Sequence, residues 1–492
     1  MRGTSRQLPD WFAIALVTGT SAAVLVLEIL AGRVLAPYVG VNLETYTAII
    51  GTILAGIALG ARLGGAAADR HDPRRLIPLL LVVGGALAMS SIPIVRVLGG
   101  STGAGGRGAP SVLLAAAAFL PSAAVLSAVP PAVIKLQLRD LEETGHVVGR
   151  LSAWSTAGAI AGTFIAGFVL VAYAAVSTLI VSVGVALVAA GALMAALSRR
   201  TAPRELLAAG GLVAVAVGGV ALVEQPCDVQ SGYYCISITT DPDRADGRVL
   251  ELDDLRHSYV ALDDPAHLEF WYVRRIVGAI ETLAPAGDVD VIALGGGAMT
   301  VPRYLATTRP GSRQIVLEID PDLVDVVEDE FGLPVARDRI IVGDGRVGLR
   351  ALPDDSADVI VGDAFGSRAV PWHLATEEFM ADIERVLRPG GIYVANMIDG
   401  PGESFLRAET ATIRTSMPFV GVMRSPDLVG GFVGNAVAVA STEPLDLAAW
   451  DAERRRGTDA GALVDDVDAY LDGALVLTDD FAPVDQLIAG AR

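Results

Sequence analysis

The stretch Val289–Ala306, VDVIALGGGAMTVPRYLA, decides how the second half of this chain folds. Its opening residues are rich in valine and isoleucine and read as a buried strand. Three consecutive glycines, Gly295, Gly296 and Gly297, end that strand, and a helix is expected over about 299–308. A strand, a glycine turn and a helix in this order bring bare backbone close to a ligand at the carboxyl end of the strand. The triplet is therefore a candidate ligand-binding turn.

Working outward, strands are expected at RQIVLEID, RIIVGDG, ADVIVGDAF and GGIYVANMI, with helices at about 321–331, 345–351 and 374–387. That alternation predicts a doubly wound, mainly parallel sheet of the Rossmann-like, class I methyltransferase-like type. Acids fall at successive strand ends: Glu318 and Asp320, then Asp344, then Asp363. An acid about 20 residues beyond a glycine turn has the geometry to bind ribose hydroxyls. GGGAMT departs from G-x-G-x-x-G, and the single lysine of the chain, Lys135, is far from any phosphate-binding loop. A nucleoside site without a phosphate clamp points to adenosyl chemistry. Upstream, YCISITT, GRVLELDD and RHSYVAL read as a small β-hairpin region, followed by a helix over 267–284.

The first half has a different solvent. The 492 residues have a mean hydropathy of +0.51 and a net charge of −19. Residues 1–224 carry 15 basic and 10 acidic side chains, a balance of +5, so the remainder stands at −24. Apolar runs near 11–31, 44–67, 76–98, 110–135, 152–174, 176–197 and 206–223 suit helices crossing a bilayer, which takes roughly 20 residues. The expected organisation is a polytopic α-helical membrane domain (1–224, about seven helices), a linker with the small β region (225–285) and the catalytic domain (286–492).

Basic residues fall in alternate loops: Arg2 and Arg6, then Arg70, Arg74 and Arg75, then Lys135, Arg139 and Arg150, then Arg199, Arg200 and Arg204. Little besides Arg107 opposes them, which puts the amino terminus inside; seven crossings then put the soluble domain outside the cytoplasm, whereas a seventh segment that lies in the interface or re-enters leaves it in the cytoplasm. Cys227 and Cys235 are close enough in sequence to close a small disulfide loop, in agreement with an oxidising compartment. Glu28 and Arg33 are costly inside a span and suggest an ion pair or a substrate path. Small residues in GTILAGIALGARLGG and STAGAIAGTFIAG allow helices to approach closely. His71, His146, His257, His267 and His373 show no ligand spacing, so no metal is expected. No basic stripe suggests nucleic acid.

The order ELDD, H, EFWYVRR, ALGGG, LEID, VGDGR, ADVIVGDAF resembles the polyamine aminopropyltransferases, the spermidine synthase family, and LTDDFAPVDQL near the end resembles their membrane-fused branch. The resemblance implies a site for decarboxylated S-adenosylmethionine. It assigns the glycine turn Gly295–Gly297, Glu318 on the ribose, Asp344 and Gly345 beside the adenine, and Asp363 as the group that orients or deprotonates the attacking amine. Tyr272 and His257 then hold the polyamine. Two family acids are missing, since Ala298 stands in the glycine loop and Gly366 at the second position of the D-x-x-D-P loop. S-adenosylmethionine-dependent methyl transfer is the rival activity, and a polyamine transporter or sensor is the rival of another class. The implied partners are a polyamine acceptor, a lipid bilayer (the plasma membrane) and, in some such proteins, a second copy of the chain.

Overall fold

The structure, a computed structural model, describes residues 8–40, 43–100, 109–138, 142–198, 203–253, 255–366, 369–456 and 460–489. Arg2, Arg6, Arg107, Arg139, Arg199 and Arg200, used above to orient the spans, lie outside them. The chain forms two compact units, Met1–Cys235 and Ile236–Arg492.

The first unit is helical. Among the described residues, six helices are long and apolar enough to cross a membrane: Asp10–Val39, Leu43–Arg70, Pro73–Gly99, Ala109–Gln137, Thr144–Leu170 and Val176–Leu197. The seventh apolar segment lies on the 20-residue helix Pro203–Leu222, whose apolar part, Leu207–Leu222, is shorter than those six. The small-residue stripes act as expected: a Cβ added at Gly60 would overlap the Ala124 carbonyl, and one at Gly158 the Thr18 carbonyl. Backbones meet there at distances only glycine permits.

Glu28 and Arg33 do not pair. Five residues apart on one helix, they point about 140° away from each other, whereas helix neighbours are three or four apart. Arg33 donates instead to the Tyr233 carbonyl and stacks 5.7 Å from the centre of the Tyr233 ring. Cys227 and Cys235 form a disulfide.

A short strand β1 (Val229–Gln230), still within the first unit, is followed in sequence by an antiparallel meander. Its strands are β2 (Cys235–Thr240), β3 (Gly247–Leu252) and β4 (Leu255–Ala261). The helix after it starts at Trp271 and ends at Leu283, later than the sequence suggested, because Asp263–Glu269 is turn and coil.

The main sheet comprises β5 (Asp290–Leu294), β6 (Arg313–Glu318), β7 (Ile340–Val342), β8 (Ala357–Gly362), β9 (Leu387–Asp399), β10 (Phe419–Arg424), β11 (Gly434–Ser441) and β12 (Ala462–Leu463). Its order is β12-β10-β11-β9-β8-β5-β6-β7. Strands β9, β8, β5, β6 and β7 are parallel, and β11, β10 and β12 extend the sheet antiparallel. The sheet is thus more mixed than expected. Alternate residues feed two apolar layers, one around Leu294, Tyr393 and Phe379, the other around Val291, Val394 and Ile276. This topology aligns the carboxyl ends of β5, β6 and β8, where a ligand crevice belongs.

Candidate active site

The glycine turn is shaped by its neighbours. Gly295 has φ +90° and Gly297 φ +47°, both in the left-handed region open to glycine. A Cβ at Gly295 would overlap the Asp363 carbonyl, so β5 and β8 can close together there only without a side chain. Met299, at φ 55°, begins the helix Thr300–Thr308 in the same region, which costs a non-glycine residue about 1–2 kcal/mol. Its N–H donates to the Gly296 carbonyl at 2.7 Å, and its side chain is buried, which holds the conformation.

Glu318, at the end of β6, is 5% exposed. Its Oε2 accepts the Gly296 N–H at 2.7 Å and its Oε1 the Asp320 N–H at 3.0 Å. Burial raises its pKa, and these backbone donors pull back only part of the way. The Gly297 N–H bonds to the carboxylate as well, which leaves one lone pair of the four for an incoming hydroxyl. Asp320 is buried and caps the helix Pro321–Phe331 by accepting the Asp322 N–H at 3.0 Å.

Asp344 caps the helix Gly345–Arg350. Its Oδ1 accepts the Arg346 and Val347 N–H groups, each at 3.0 Å, and its Oδ2 lies 2.7 Å from His373 Nε2. Burial pushes its pKa up, but the Val347 N–H, His373 and the Arg346 N–H bring it below the usual carboxylate value. A Cβ added at Gly345 would be in ordinary contact with Leu294 and Leu374, at 3.9 and 4.0 Å. His373 belongs to this corner, and nothing local in the sequence announced it.

Asp363 follows β8 directly. Its N–H donates to the Leu294 carbonyl at 2.9 Å, which ties it to the start of the glycine turn. Its Oδ1 accepts from Asn396 Nδ2 at 2.8 Å, and burial raises the carboxyl pKa to about 7 despite that bond. Tyr272 lies in the field of Asp363, and burial followed by that charge holds its hydroxyl neutral, well above the ordinary pKa. The Tyr272 hydroxyl donates to the His257 carbonyl at 2.8 Å. The His257 ring is enclosed, which lowers its pKa to about 4, and its Nε2 has no partner among the described residues. It is therefore a neutral imidazole at neutral pH. The structure brings Asp363, Tyr272 and His257 into one neighbourhood, and Glu318 and the glycine turn into the next.

The two departures differ in space. Ala298 is 0% exposed, and its N–H donates to Ser258 Oγ at 3.1 Å. Among the described residues, the nearest atom to a Cβ added at Gly366 is the Ala369 carbonyl oxygen, at 4.0 Å. Among the described residues no cluster of acids, histidines and cysteines could hold a metal. A cavity of about 350 Å³ lined by Asp290, Arg313 and Arg388 lies at the opposite, amino ends of the strands.

Residues 292–395 match the family described as a methyltransferase domain. A polyamine aminopropyltransferase of Chromobacterium violaceum is 28% identical over 201 residues, 40% of this chain and 74% of that protein. One from Vibrio vulnificus is 34% identical over 130 residues, 26% of this chain and 43% of that protein. The second unit is similar to polyamine aminopropyltransferases. Polyamine aminopropyltransferase 2 of Streptomyces coelicolor is 26% identical over 419 residues, covering 78% of this chain and 73% of that protein. That span is longer than the whole second unit, so the similarity reaches into the helical half. A probable spermidine synthase structure from Corynebacterium glutamicum is 28% identical, with a TM-score of 0.47, over 51% of this chain and 95% of that one.

Proposed function

We propose that the protein is a membrane-embedded aminopropyltransferase that uses decarboxylated S-adenosylmethionine and a polyamine acceptor such as putrescine. The observation that carries this reading is the pairing of Glu318 and Asp363 at the ends of strands flanking the glycine turn. One carboxylate is placed to accept a ribose hydroxyl, and the other is a base poised near neutrality.

The donor fits the residues present. Glu318 retains a lone pair for a hydroxyl, and the acidic domain favours a cationic sulfonium. In the transfer, the amine lone pair forms a bond to the propyl carbon attached to sulfur. The carbon–sulfur bond breaks, and sulfur leaves with that electron pair as neutral methylthioadenosine. The new ammonium then gives its extra proton to Asp363. Catalysis is mainly positioning and proton acceptance, since the sulfonium supplies the driving force. Tyr272, neutral and fixed on the His257 carbonyl, forms one wall for the acceptor, and the His257 ring contributes a neutral polar edge.

Methyl transfer from S-adenosylmethionine is the second reading. It is favoured by the buried Ala298, where the family has a carboxylate for the aminopropyl ammonium. The deciding experiment gives the full chain in detergent each donor in turn, with putrescine and spermidine as acceptors. Polyamine product with the decarboxylated donor supports aminopropyl transfer. Methylated product alone, from S-adenosylmethionine, overturns it.

The first unit would anchor the enzyme in the plasma membrane; six crossings from an inside amino terminus would leave the second unit in the cytoplasm, while the Cys227–Cys235 disulfide favours a seventh crossing and an extracytoplasmic second unit. A reporter fused after residue 240 tests this: a cytoplasmic signal, with both thiols freely alkylated, reverses the orientation.

A further inference from the structure

Two asparagines stand behind the proposed base. Asn396, on β9, is 3% exposed and shares its face of the sheet with Val394, Val437 and Val439, an otherwise apolar layer. Its Nδ2 donates to Asp363 Oδ1 at 2.8 Å, and its Oδ1 accepts from Asn435 Nδ2, on β11, at 3.0 Å. Asn435 pairs with Ile398 across the two strands, so it sits diagonally opposite Asn396 on the same face.

A primary amide has a donor end and an acceptor end of nearly the same shape. Packing alone does not choose which end of Asn396 meets Asp363. The wrong end would set a carbonyl oxygen against a carboxylate oxygen, or invite Asp363 to stay protonated and donate. An ionised Asp363 can only accept, so it takes the amino end of Asn396, and the Asn435 amino group then engages the Asn396 carbonyl and holds that orientation with a second bond.

We propose that Asn435 is a positioning residue for the proton-accepting step: acting through Asn396, it fixes the donor that orients Asp363 and favours its ionised form. The proposal rests on Asp363 being the base. The other titratable groups around Asp363 are Tyr272 and His257 from the helix Trp271–Leu283 and β4, Glu318 across the glycine turn, and Glu409 across a small cavity lined by Gly362, Ala364 and Asn396. Tyr272 titrates far above neutrality and His257 far below it. Glu318 belongs to donor binding and is monitored through the donor KM.

The test is the pH profile of kcat/KM for the acceptor, measured on the full chain with saturating donor. Removing the donor outright in Asn396→Leu should move the acid limb up by about one pH unit. Asn435→Leu should move it in the same direction by about half a unit or more, with donor KM unchanged and the alkaline plateau nearly kept. The isosteric Asn435→Asp, which offers Asn396 an acceptor, should shift it at least as far. The double variant Asn396→Leu/Asn435→Leu should show no shift beyond Asn396→Leu alone, because the second asparagine acts only through the first. A limb that moves in Asn396→Leu but stays in both Asn435 variants overturns the proposal, as does an additive double variant. An Asp363→Asn chain that keeps full activity defeats the prior reading of the base, a separate result.

Discussion

Arg346 and Asp479, 133 residues apart in sequence, form a two-pronged ion pair, with Nη1 to Oδ1 at 2.7 Å and Nη2 to Oδ2 at 2.8 Å. The Arg346 guanidinium is nearly enclosed and also donates to the His373 carbonyl at 3.1 Å. Asp479 further accepts from Thr376 Oγ1 at 2.8 Å. The LTDDFAPVDQL segment is therefore a strap that holds the loop of His373 against the helix capped by Asp344.

Cutting the strap should loosen that corner. In Asp479→Ala the guanidinium loses its planar partner while remaining largely buried, a situation that typically costs about 1–3 kcal/mol for a pair open to water on one side. The expected result is a lower thermal midpoint together with weaker methylthioadenosine binding, read by thermal unfolding and calorimetry on the full chain. Unchanged affinity would mean that the strap stabilises the fold without shaping the adenosine pocket.

Glu318→Gln should weaken methylthioadenosine binding by about 1.5–3 kcal/mol, the range of hydrogen bonds to a charged group. The glutamine amide can accept at only one end, so either the Gly296 or the Asp320 N–H loses its acceptor and the glycine turn slackens as well. Calorimetry that finds wild-type affinity would exclude Glu318 from the donor site.

Restoring the missing acids should succeed at one position and fail at the other. Gly366→Asp would meet no described atom closer than 4.0 Å from its Cβ and should fold normally, with a lower KM for a cationic acceptor. Ala298→Asp would force an acid into a fully enclosed position and cost several kcal/mol of stability. Thermal unfolding and acceptor kinetics on both variants check the contrast; equal stability would show that the turn opens more readily than its packing indicates.

Glu409 gives a pH signature of the fold itself. It is 1% exposed on the helix Ser404–Ser416, and burial, with a lesser effect of the Asp399 charge, raises its pKa to about 8 from 4.5. A carboxyl with a raised folded-state pKa contributes stability that is complete below its unfolded value and fades as pH climbs through the folded one. Wild type should therefore lose thermal stability between about pH 4.5 and 8. Glu409→Gln, which cannot ionise, should lose less over that interval. Parallel melting curves across that range would rule out a buried acid if they coincide.

How far the sequence could be read follows from the range of each signal. The strand VDVIAL, the glycine turn and the acids after β6 and β8 are local, since an apolar run, three glycines and a strand-end carboxylate each stand within a few residues. Strands β10 and β11 were hidden. GNAVAVAS holds three alanines and a glycine, which carry little strand preference, whereas FVGVMR is a short run of strand-favouring residues that stands apart from the alternating strand-helix series. His373 and Asp344 are 29 residues apart, and Asn396 and Asn435 are 39 apart, so only the folded sheet reveals either contact. The loss of acids at Ala298 and Gly366 was visible, but that the first of these sites is enclosed was not. Glu28 and Arg33 were misjudged because depth in the membrane was weighed without the helical angle between them.

Asp363→Asn is the sharpest test of the chemistry. The side chain keeps its shape and can still meet Asn396, yet it cannot accept a proton. Loss of a general base typically lowers the rate by ~10²–10⁴-fold. The wild-type profile should rise with pH through about 7, because the carboxyl must be ionised to act and is protonated below that value. The same elevated pKa opposes stability: with its folded pKa above the unfolded 3.8, Asp363 contributes stability present below 3.8 and lost as pH passes about 7. The asparagine variant should therefore be nearly inactive and, at pH 8, at least as resistant to heat as wild type. That opposition is common where a buried group is kept for function. Activity assays with each donor and melting curves at pH 6 and 8 measure both halves. A variant that stays active, or one that is inactive only because it melts earlier, removes Asp363 from the role of base.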